Sequence, residues 1–159
     1  MRILRWLKIP GMVIGFVAGL LVGGLTAVAN APIGYIIVAA LGLGIPLAIF
    51  GIIYDALLDA GKLNFGYAAP SALYGVLTFP IARLIQELLL TAIFGQGITL
   101  QQESGVLSFL VFQGIMGFGY GIGFLMIHSQ IIEVSAWRAY RKQAKEEESN
   151  QPRTAEKRA

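Results

Sequence analysis

Arg83 and Glu87 stand four residues apart inside TFPIARLIQELLLTAIF, residues 78–94, a run otherwise dominated by leucine, isoleucine and phenylalanine. On a helix that spacing puts both side chains on one face. Arg83 lies about 14 residues into its apolar stretch, or about 21 Å of helical rise, which is mid-bilayer depth if the stretch spans a membrane. A lone arginine there costs about 2.5–3.5 kcal/mol on insertion scales, so an adjacent carboxylate offsets part of the cost. Counting depth from the helix ends puts Gln113 of the next apolar stretch level with Glu87, and Gln86 supplies another donor. Pro80 frees the carbonyl of residue 76, a further acceptor for the guanidinium. Such a cluster can act as a polar clamp fixing helix register, as a contact for a partner's charge or an anionic lipid, or as the lining of a path for protons, ions or a small anion. The clamp is the first expectation, because a complementary pair can satisfy itself.

A second constellation falls near the other end of the apolar stretches. The same depth count sets His128 between Asp55 and Asp59, with Glu133 nearby. One histidine with carboxylates can relay protons or bind a divalent cation. The helix-bundle metal motif of paired Glu and His residues is absent, so solvated helix ends are the favoured reading and no metal or cofactor is expected. Asp at a helix C-terminus opposes the dipole, which keeps the alternative in play. No nucleophile–base pair emerges. Ser129 adjoins His128, but sequence neighbours on a helix face different ways, and Ser71, Ser104, Ser108 and Ser135 have no histidine near them. Enzymatic chemistry is not expected.

The elements that position these residues are four long apolar stretches, about 10–29, 33–58, 69–94 and 105–132. Each approaches or exceeds the ~20 residues a spanning helix needs. Helices are required, because lipid leaves no partner for unpaired backbone groups. A β-barrel would show short alternating segments instead. The fold class is therefore all-α integral membrane, a four-transmembrane-helix bundle over 10–134. A basic flank, residues 1–9, precedes it. A charged tail, 135–159, follows; Trp137 and Tyr140 anchor its start at the interface, and a frayed helix leading into disorder is expected beyond them.

Composition agrees. Of the 159 residues 56% are hydrophobic and 13% charged, against about a quarter charged in soluble domains. The mean hydropathy is +0.69. There is no cysteine, which excludes disulfides and thiolate chemistry. The net charge is +3, and the lysines and arginines gather at the two ends, with only Lys62 and Arg83 between them. That is a membrane-flank pattern, and nucleic acid is not an expected partner. Four spans put both termini on one side, and the positive-inside rule puts that side in the cytoplasm, with a bacterial inner membrane as the expected home. Residues 1–31 also mimic a signal peptide ending Ala29-Asn30-Ala31. However, Pro32 would hinder cleavage and the apolar run exceeds the usual 7–15 residues, so retention of the first span is expected.

Glycines supply the remaining pattern. Gly11, Gly15, Gly19 and Gly23 recur every four residues in the first span, a stripe that lets a neighbouring helix approach closely. Gly117, Gly119, Gly121 and Gly123 give two overlapping pairs on different faces of the fourth span. One face is expected to meet the first helix, the other the third helix or a second copy. GFGYGIG is not a nucleotide loop, since the strand–loop–helix setting is missing. These features lead to an expected accessory or structural subunit, packing into a larger membrane assembly or self-associating in the bilayer. The alternative is a small oligomeric transporter or channel with Arg83 and Glu87 lining the path.

Overall fold

A computed structural model describes residues 10–63, 68–95 and 105–150. These residues form four helices: α1 Pro10–Val28, α2 Ile33–Asp59, α3 Ala68–Phe94 and α4 Gly105–Asn150. Among the described residues there is no strand, and all four helices are long and apolar enough to cross a membrane. Large apolar side chains such as Leu21, Leu25, Ile33, Leu77 and Leu107 point outward, as they do when the surrounding solvent is lipid.

The turns follow from local chemistry. Asn30 takes a left-handed conformation (φ 57°), which its short polar side chain tolerates, and its N–H bonds back to the Ala27 carbonyl. Pro32 then starts α2 without a wasted donor. Gly61 (φ 68°) ends α2, with the Lys62 and Leu63 N–H groups turning back to the Leu57 carbonyl.

The chain builds two tight hairpins. A Cβ at Gly11, Gly15, Gly19 or Gly23 would strike α2 at Gly51, Leu47, Gly44 or Ala40 respectively. The stripe on α1 therefore fits a matching row of small residues and bare backbone on α2. In the second hairpin, Gly75 of α3 packs on Gly117 and Gly121, and Gly121 packs on Ser71 and Ala72. The Gly117/Gly121 face thus meets α3, one of the partners the spacing allowed. Gly119 and Gly123 have no described atom within 4 Å of where a Cβ would stand, so that face is uncovered. The hairpins join mainly through α2 and α3, where Leu43 and Leu47 pack on Ala82, while Tyr54 packs on Phe124 of α4.

α4 departs from expectation at its far end. It runs 46 residues without a break to Asn150, about 69 Å of helix. Residues 133–150 contain neither Gly nor Pro and are rich in Ala, Lys, Arg, Gln and Glu, so propensity sustains the helix past the membrane. Residues 151–159 lie outside the described residues, as does the basic flank 1–9.

Candidate functional site

Asp55 closes the junction of three helices. It lies one turn from the end of α2 and is 6% exposed. One carboxylate oxygen, Oδ2, accepts the Gly11 N–H at 3.1 Å, an otherwise orphaned donor in the first turn of α1. The other, Oδ1, lies 2.7 Å from His128 Nε2 on α4, which donates to it. Gly11 is required for this arrangement, since a Cβ there would come within 2.8 Å of Asp55 Oδ1. His128 is 2% exposed, stacked on Phe124 (5.7 Å, 20°) and met edge-on by Tyr54 (5.8 Å, 78°). The aromatic wall continues through Tyr74 and Tyr120.

α3 joins the junction through hydroxyls. The Tyr54 and Ser71 hydroxyls lie 2.5 Å apart, and the Tyr74 hydroxyl donates to the Phe50 carbonyl at 2.6 Å. A group of polar contacts inside an aromatic shell therefore ties all four helices at one level. The favoured expectation of solvated helix ends is wrong for Asp55 and His128, because α1 and the rings of Tyr54 and Phe124 exclude water from them. Asp59 and Glu133 are exposed. Among the described residues, no group of three or more His, Asp or Glu side chains could hold a metal ion.

The mid-bilayer cluster is built on α3. Arg83 donates from Nη2 to Glu87 Oε1 at 2.7 Å and from Nη1 to Gln86 Oε1. Gln86, 1% exposed, donates in turn to the Ala39 carbonyl of α2 at 2.6 Å. Its side chain passes Gly42, where a Cβ would stand only 3.4 Å from Gln86 Cγ. Both acceptors of Arg83 lie C-terminal to it, so the guanidinium points away from the carbonyl that Pro80 frees. Gln113 is buried on α4, one turn from Gly117, which packs against Gly75 and Phe79 of α3.

The shell residues Tyr54, Ser71, Tyr74 and Phe124 were not singled out from the sequence. An apolar helix surface offers no mark separating a tyrosine that faces lipid from one that faces the core. The row of α2 that receives α1 did leave a signal, since Ala40, Gly44, Ala48 and Gly51 recur at three- and four-residue intervals.

Comparisons with protein-family models, curated proteins and solved structures find no match to this chain.

Proposed function

We propose that the chain is a non-enzymatic multi-pass protein of a bacterial cytoplasmic membrane, with both termini cytoplasmic, that packs laterally against another membrane-spanning element as an accessory or structural subunit. The observation that carries this reading is the unequal use of its close-packing faces. The Gly11/Gly15/Gly19/Gly23 stripe and the Gly117/Gly121 pair are filled within the chain, while the Gly119/Gly123 face on α4 is bare. A bare glycine face at membrane depth suits close approach by another helix. The way the intramembrane charges are engaged also supports it. Arg83, Gln86 and Glu87 bond to one another and to α2, and Asp55 bonds to α1 and α4. The transport alternative draws on Arg83, whose side chain is 23% exposed at mid-bilayer depth.

Purification of the tagged chain in mild detergent, followed by mass spectrometry, tests the proposal. A foreign membrane subunit in fixed ratio is expected, and Gly119→Leu/Gly123→Leu should lose it with little change in thermal stability. Recovery of this chain alone, or a subunit retained by that double variant, would overturn the reading.

A further inference from the structure

α4 emerges from the bilayer with a patterned surface. His128 lies level with Gly11, the start of α1, because both bond to the Asp55 carboxylate. Arg138 follows ten residues later, about 15 Å along the axis. Arg138, Arg141, Lys142 and Lys145 then recur at i, i+3, i+4 and i+7, a spacing that collects all four on one helical face. All four are exposed. Side chains on a helix lean towards its N-terminus, which for α4 means back towards the membrane.

Two details shape this face. The Arg141 guanidinium sits 3.4 Å over the Trp137 ring, and Trp137 is 54% exposed. Indole rings settle at headgroup depth, so Trp137 marks where the polar layer meets the helix. Beyond Glu133, an exposed carboxylate beside Trp137 and Arg138, the charges run basic from Arg138 to Lys145 and then acidic from Glu146 to Glu148. Lys142 has Glu146 at 3.8 Å, but both are well exposed, and such a pair is weak enough to leave the lysine free to engage elsewhere.

We propose that this face of α4 binds the phosphate of anionic phospholipid headgroups in the leaflet it emerges from. Arg138 and Arg141, the members nearest the bilayer, fork onto the phosphate oxygens, a geometry that suits guanidinium. Lys142 and Lys145, further out, add an attractive field that decays over roughly 8–10 Å. Charge complementarity identifies the occupant, since basic clusters immediately beyond a spanning helix attract acidic lipid. The inference requires only that α4 spans a bilayer, and is independent of the accessory-subunit reading.

The full-length protein in non-ionic detergent, titrated with phosphatidylglycerol or with phosphatidylcholine, is read by native mass spectrometry for retained lipid. Phosphatidylglycerol should be retained at lower concentration. That preference should fall about tenfold or more in Arg138→Gln/Arg141→Gln/Lys142→Gln/Lys145→Gln. It should persist in Arg2→Gln/Arg5→Gln/Lys8→Gln. If the quadruple variant unfolds, Arg138→Gln/Arg141→Gln takes its place with the same expectation. Equal retention of the two lipids by the native protein, a preference that survives the α4 substitutions, or a preference lost with the N-terminal ones would each overturn the proposal.

Discussion

Asp55 concentrates more of the bundle's polar bonding than its place near a helix end suggests. Removing its carboxylate strands the Gly11 N–H and the His128 ring in a space closed by Tyr54 and Phe124. Leaving a buried hydrogen-bonding group without its partner costs about 1–3 kcal/mol, so Asp55→Ala should lower the unfolding midpoint in detergent. Asp55→Leu/His128→Leu should recover part of that loss, because only the Gly11 N–H is then left without its acceptor. A double variant as unstable as Asp55→Ala would sink the view that this is a coupled pair. The sequence did bring Asp55 and His128 to one depth, by counting residues along the helices. Their burial was not legible, because it depends on the aromatic shell and on the start of α1 lying against α2. Arg83 and Glu87 were legible as a pair because i, i+4 spacing is local. The partner of Gln113 was not legible, because it depends on register between two helices.

Between elements, glycine does two different jobs that spacing alone cannot tell apart. On α1 the four-residue stripe is filled by α2, whereas Gly24, beside it, has no described atom within 4 Å. Gly15→Val or Gly19→Val should therefore force the hairpin apart and lower the unfolding midpoint. Gly24→Ala should be neutral or stabilising by about 0.5–1 kcal/mol, the helix-propensity gain over glycine. Equal tolerance at the two kinds of position would refute the packing assigned to the stripe. The four helices themselves were legible, since apolar length and bilayer thickness leave few alternatives. The partner of each glycine face was not, because a stripe declares that something comes close without naming it. The extent of α4 was underread for another reason: loss of apolar character marked the membrane boundary, and helix propensity carried on beyond it.

At the level of the whole molecule, the bundle is two hairpins held by a thinner seam. Its polar contacts include Asp55 with His128, Tyr54 with Ser71, Tyr74 with the Phe50 carbonyl, and Gln86 with the Ala39 carbonyl. Co-expressed halves, residues 1–63 and 68–159, should therefore reassociate in the membrane and co-purify. Gln86→Leu combined with Tyr54→Phe should weaken that recovery. Halves that fail to associate, or that associate regardless of those substitutions, would show that the seam is held by something else. The unbroken length of α4 carries one more consequence. Eighteen residues separate Gly119 from Trp137, and Gly123 from Arg141, and eighteen residues make about five whole turns. The bare glycine face and the tryptophan–arginine stack therefore share one azimuth on a single rod. Whatever lies along that side of α4 inside the bilayer has the headgroup-binding stack in line with it, so rotating the rod aims both surfaces together.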